Sequence, residues 1–334
     1  MKTRFMIAAA LLCAAPLPAA DKPAAVLAPS EIVAAVPKAD WVGIAPADLL
    51  VMDLAPDAKG KARRVVIQLM PAPFSQGWVG NVRKLAAAHW WDGLAVVRVQ
   101  DNYVTQWGDP DGEDKLKARA LPPGLVTVPQ SEYEAPAPRE ITASGLPLVY
   151  QAQPGAASPT NWRGRAAFRG LTSWGYATFW RGWPIAGTMD PHSSYSWPIH
   201  CYGMVGVGRD MPPDTGTGAE LYTVIGHAPR HLDFNIALVG RVIEGMEHLS
   251  SLPRGTGALG FYENRRERVK IRSVRLGNEV AGLAAYEYLS TESPSFAKYA
   301  DARANRRDAF FIRPAGGADV CNIPVPVRRS TGLR

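Results

Sequence analysis

The chain of 334 residues is 47% hydrophobic and 20% charged, an ordinary globular composition that excludes wholesale disorder and leaves room for one large domain or two small ones. Lys plus Arg exceeds Asp plus Glu by 37 to 30, a mild excess without basic blocks, which argues against nucleic acid as a partner. The 31 glycines and 29 prolines forecast many turns and more strand than helix.

In chain order, Lys2 and Arg4 precede an apolar stretch to Ala15, followed by Pro16-Leu17-Pro18-Ala19-Ala20. A positive start, a short apolar run and small residues describe a secretory signal peptide over residues 1–20, and hence a periplasmic or secreted protein. No later run approaches the roughly 18 apolar residues of a membrane helix, so no membrane span is expected. Residues 21–38 are rich in Ala and Pro and read as a linker. Leu49–Leu54 and Arg64–Leu69 are β-rich runs that predict a hairpin. Phe74, Trp78, Val82, Leu85 and Ala86 recur at helical spacing over residues 74–89. Strands are expected at Leu94–Val99 and Tyr103–Trp107, before a long Pro-rich stretch over 111–200 with little periodicity. That stretch holds Trp162, Trp174, Trp180, Trp183 and Trp197, and such aromatic content implies packing over 160–200. Further strands are expected at Tyr202–Val207, Leu221–Ile225, Ile236–Val239 and Val269–Leu276, with helical pieces near residue 250, at Glu279–Tyr288 and at Pro294–Arg306. Many short strands with a few helices point to a mainly β fold with a closed or nearly closed barrel.

Chemistry is then narrowed by exclusion. Beyond the leader, Cys201 and Cys321 permit one disulfide in an exported chain and are too few for a zinc finger or iron–sulfur site. His227 and His231 have metal-pair spacing, but Pro229 between them breaks the helix such a pair needs, so no metal is expected. No Gly-x-Ser-x-Gly elbow is present, and the glycines at 203–208 and 255–257 lack the order or the lysine of a phosphate cradle. No cofactor is expected. What remains is the hairpin around Asp101: strand alternation puts Val96, Arg98 and Gln100 on one face and Val97 and Val99 on the other. A turn near Asp101–Tyr103 brings Arg98 opposite Gln106, with Tyr103 beside them.

The run Asp92-Gly93-Leu94-Ala95-Val96-Val97-Arg98-Val99, continuing to Gln106-Trp107-Gly108-Asp109-Pro110, resembles the central signature of cyclophilins. Gly218-Ala219-Glu220-Leu221-Tyr222 resembles that family's Gly-Ser-Gln-Phe-Phe. His231-Leu232-Asp233, with Val239-Gly240-Arg241-Val242-Ile243-Glu244-Gly245-Met246, resembles its Leu-Asp and Gly-Arg-Val-x-Glu-Gly-Met block. The three segments occur in order between residue 47 and about residue 277. The resemblance implies an eight-stranded antiparallel barrel capped by two helices over 39–277, interrupted by the long irregular 111–200 insertion and followed by a helical C-terminal extension over 278–334. It implies peptidyl-prolyl cis–trans isomerisation of proline-containing polypeptides, here assisting the folding of exported proteins. Arg98 matches the family's essential arginine, and Gln106 the glutamine that holds the substrate backbone. Tyr103, Val104, Tyr222 and Leu232 match the wall of the proline pocket, and His231 a position held by Trp or His. Glu220 and Leu221 fall in the substrate-binding segment, Glu220 where a backbone-binding Gln is usual. Val96-Val97 replaces a Phe-His pair, Trp107 a glycine, and Ile236 a pocket-lining His. Ionised Glu220 is expected near Arg98, favouring a basic residue beside proline. The alternative keeps the fold and drops catalysis: a weak or inactive binding and scaffolding module of the cell envelope, with residues 160–200 covering the Arg98 face.

Overall fold

The computed structural model describes residues 26–138, 175–188 and 195–330. The leader, Trp162 and Trp174 lie outside them.

Among the described residues, the chain runs as α1 (Pro29–Ala34), β1 (Trp41–Ile44), β2 (Leu49–Leu54), β3 (Arg63–Leu69), α2 (Gln76–Ala87), β4 (Ala95–Val99), β5 (Val104–Gly108) and β6 (Ala135–Pro136). It continues through β7 (Gly175–Trp180), β8 (Trp183–Thr188), β9 (Tyr195–Pro198), β10 (Met204–Val207), β11 (Leu221–Val224), β12 (Leu238–Glu244), α3 (Glu247–Ser250), β13 (Val269–Leu276), β14 (Tyr286–Leu289), α4 (Pro294–Ala304) and β15 (Val327–Arg329). Eight strands close an antiparallel barrel in the order β10-β11-β5-β4-β13-β2-β3-β12. None of the described helices is long and apolar enough to cross a membrane.

The burial of β2 and β3 explains why their sequences are almost continuously apolar. Leu50, Met52, Leu54, Val65, Ile67 and Leu69 fill the barrel core. Leu49 and Val66 pack outward in a second cluster with Ile44 and Tyr286. A small sheet, β1-β14-β15, covers that outer face. A strand buried on both sides loses its polar alternation.

Helix α2 closes one end of the barrel with the face its spacing predicts: Trp78, Val82, Leu85 and Ala86 are all buried in the core. The same helix carries polar clamps. The Trp78 indole N–H donates to the carbonyls of Thr215 and Gly216, 3.0 Å away, and the buried Asn81 amide donates to those of Val126 and Thr217. Trp91, just past the helix, donates to the Ala219 carbonyl at 2.7 Å. Together these three side chains fix the loop that delivers Glu220 and β11 to the barrel rim.

The described part of the 111–200 stretch is more regular than its composition suggests. Strands β6-β9-β8-β7 form a four-stranded sheet in which Trp180, Trp183 and Trp197 are buried. The stretch 279–288, expected as helix, is instead a short turn followed by β14. The alternating Tyr286 and Tyr288 pair on both sides, with β1 and with β15, and this two-sided pairing outweighs local helix propensity. Within the Ala/Pro-rich segment, α1 forms and packs Ile32 and Val33 on the cluster of Trp41, Phe296, Tyr299 and Ile323. A disulfide joins Cys201, behind β9, to Cys321 near the C-terminus.

Candidate active site

The site is built on the β4–β5 hairpin. Arg98 pairs with Gln106, as the turn position predicts, but the pairing slips between Val96 and Arg98. Val97 is the extra residue of a bulge, and this corrects the simple alternation: Val96 and Val99 both enter the core, while Arg98 stands half-buried on the opposite side. The bulge re-aims the arginine.

Arg98 donates from Nε to the Leu259 carbonyl at 2.7 Å, from Nη1 to Gln106 Oε1 at 2.9 Å, and from Nη2 to Gln100 Oε1. Its guanidinium also lies 5.7 Å from the Tyr103 ring centre and 5.3 Å from that of Phe261. Burial pulls its pKa down, yet a guanidinium stays charged. The Gln106 amide is oriented from both ends, because its Nε2 donates to Glu220 Oε1 at 2.8 Å. Arg98, Gln106 and Glu220 therefore form one row in which a neutral amide separates cation from anion. Glu220 does not pair with Arg98 directly, contrary to the expected contact. Its stem runs beside Gly208, where a Cβ would come within 3.0 Å of it. Burial pushes the Glu220 carboxyl pKa up, the Gln106 N–H opposes this, and the nearby Glu113 adds to it.

Beside this row lies an apolar cluster. Val104, Tyr222 and Val224 are its buried members, with Tyr103, Leu232 and Ile236 packed against them. The rings of His231 and Tyr103 lie nearly parallel, 6.3 Å apart, at its exposed margin. Thus Arg98, Gln106, Tyr103, Val104, Glu220, Tyr222, His231 and Leu232 come together. Leu221 does not. It pairs with Trp107 across β11 and β5, both pointing into the barrel, and is 1% exposed. Strand alternation sends Leu221 inward whenever Tyr222 and Glu220 face the groove, so it is a core residue and not a peptide contact.

Gln100, which strand alternation places on the Arg98 face, does meet Arg98. Other residues of the site carry no signal in the sequence: Leu259 and Phe261 also frame Arg98 and come from a loop more than 150 positions downstream. His200 is fully buried and bonded to Tyr222 and Asp233. Its partners are 22 and 33 residues away, beyond any local pattern.

Residues 59–276 match the family model for cyclophilin type peptidyl-prolyl cis-trans isomerase/CLD. Among solved structures, the chain is similar to the cyclophilin AquaCyp293 from Hirschia baltica, with 20% identity and a TM-score of 0.60, over 87% of this chain and 95% of that one. It also aligns with a cyclophilin type peptidyl-prolyl cis-trans isomerase of Cryptosporidium parvum, solved in the presence of the dipeptide Ala-Pro, at 10% identity and a TM-score of 0.36, over 68% of this chain and 98% of that one. No curated protein matches the chain.

Proposed function

Because the chain belongs to the cyclophilin-type peptidyl-prolyl cis–trans isomerase family, with proline-containing peptides as its substrate class, we propose that its reaction takes place in the groove between Arg98 and the Tyr222 pocket. The bond before proline resists rotation by roughly 18–20 kcal/mol, because amide resonance must be broken. Twisting it leaves a localised lone pair on the prolyl nitrogen. A guanidinium N–H aimed at that lone pair stabilises the twisted state more than the planar one, which is what catalysis requires. Arg98 uses three of its five N–H groups within the protein, leaving two for a bound peptide. Gln106 has one further amide N–H for the substrate backbone, and the Tyr103, Val104, Tyr222 and Leu232 pocket takes the pyrrolidine ring.

The observation that carries this reading is the row Arg98–Gln106–Glu220 standing beside the apolar cluster of Val104, Tyr222 and Leu232. No nucleophile, metal or cofactor enters the scheme, since no covalent bond is made or broken. The charged apolar leader and the Cys201–Cys321 disulfide support work on exported chains in an oxidising compartment. The test is a protease-coupled assay on an Ala-Pro peptide. Arg98→Ala is expected to lower kcat/KM more than about tenfold, roughly 1.4 kcal/mol, with the fold intact. An unchanged rate in a folded variant would remove the mechanism.

A further inference from the structure

A buried imidazole lies behind the proline pocket and has no part in the reaction above. His200 is 0% exposed. Its Nε2 is 2.8 Å from the Tyr222 hydroxyl and its Nδ1 is 2.8 Å from Asp233 Oδ1. The same carboxylate oxygen accepts the His200 backbone N–H at 3.0 Å, while Oδ2 accepts from Arg230 Nε at 2.6 Å. A carboxylate paired with an arginine only accepts, so the imidazole proton sits on Nδ1. The bare Nε2 then accepts the Tyr222 O–H. Burial pushes the imidazole pKa down and keeps the ring neutral, with Asp233 opposing and Arg230 and His231 adding to the effect.

The three partners come from three parts of the chain. Tyr222 belongs to β11 and supplies the ring of the pocket. Asp233 ends the turn Arg230–Leu232 and stands beside Leu232, with Ile236 three residues on. His200 follows β9 and directly precedes the disulfide cysteine Cys201. A Cβ at Gly206 would lie 2.3 Å from the Tyr222 hydroxyl, so the phenol end rests against bare backbone and has its polar partner in His200. A phenylalanine at 222 would need no partner; a buried phenol does.

We propose that His200 is a positioning residue of the proline pocket, holding the Tyr222 ring through one nitrogen and the 230–236 loop through the other. This rests on reading the groove as the isomerase site. The pocket grips the pyrrolidine ring alike before and during rotation, so loosening it raises KM and leaves kcat in place.

The experiment compares wild type, His200→Leu, His200→Gln, Tyr222→Phe and the Leu/Phe double variant. Turnover is measured on an Ala-Pro peptide, and binding of the same peptide by calorimetry. His200→Leu and Tyr222→Phe should each raise KM and Kd by about fivefold, the size of one buried hydrogen bond, with kcat within twofold. The double variant should be no worse than either single one, because both remove the same link. His200→Gln, which can donate to Asp233 and accept from Tyr222, should recover most of the loss. A folded His200→Leu with lowered melting temperature but unchanged KM, or multiplying effects in the double variant, would overturn the proposal. Should His200→Leu fail to fold, Tyr222→Phe alone decides, and an unchanged KM counts against it. If wild type binds the peptide without turning it over, the isomerase reading fails, while the Kd values still judge the role of His200.

Discussion

The two ends of the groove use polar groups in opposite ways. At the Arg98 end, a half-buried cation and carboxylate flank a buried amide in one row with donors to spare. At the proline end, phenol, imidazole, carboxylate and guanidinium are buried and bonded to one another behind an apolar wall. Groups that must act on a substrate keep unspent hydrogen bonds, whereas groups that hold a shape spend theirs internally. Pairing the phenol, imidazole and carboxylate of the second set with one another lowers the cost of burying them and leaves a rigid surface for an uncharged ring.

The comparison breaks first at Leu221, which sequence position alone groups with the substrate contacts. Leu221→Ala is expected to lower the unfolding free energy by about 2–5 kcal/mol, because it opens a cavity against Trp107. Denaturant unfolding measures this, and kcat/KM of the folded fraction should stay within twofold. A catalytic loss without loss of stability would return Leu221 to the groove.

Glu220 sharpens the polar end. Its Oε1 is taken by Gln106, and its other oxygen takes no hydrogen bond among the described residues. Peptides with Lys or Arg next to proline should be turned over several-fold better than neutral ones. Glu220→Gln should abolish that difference while raising the neutral-peptide rate by about twofold. Equal rates for both peptide sets in wild type would place the carboxylate out of reach.

The smallest effect is the pH dependence of that preference. Burial raises the Glu220 pKa above the ordinary 4.5, so protonation sets in at a higher pH than for an exposed glutamate. The ratio of basic to neutral peptide rates should therefore decline as pH falls from 7 toward 5, and stay flat in Glu220→Gln. A ratio constant over that range in wild type would contradict the raised value.

The barrel was legible because its strands carry strong local patterns, and the Arg98–Gln106 pairing followed from one tight turn. The bulge at Val97 was not, since nothing in Val96-Val97-Arg98 announces an extra residue. Leu221 was misplaced because a motif fixes positions along the chain and not the face each side chain takes. Strand β14 was hidden because its stability comes from two partners, one near each end of the chain. His200 escaped for the same reason on a smaller scale: its role exists only once β11 and the 230–236 loop are folded around it.

The central claim is that the directed guanidinium of Arg98, and not its charge alone, accelerates rotation about the prolyl bond. Exchange NMR on an Ala-Pro peptide measures the cis–trans rate without a coupling protease, with wild type and Arg98→Lys compared at matched peptide saturation. Lysine keeps the charge but cannot reproduce the fork that holds Gln106, Gln100 and the Leu259 carbonyl together. The exchange rate should fall more than about tenfold while peptide affinity changes by less than about threefold. Wild-type exchange in the folded lysine variant would contradict the account.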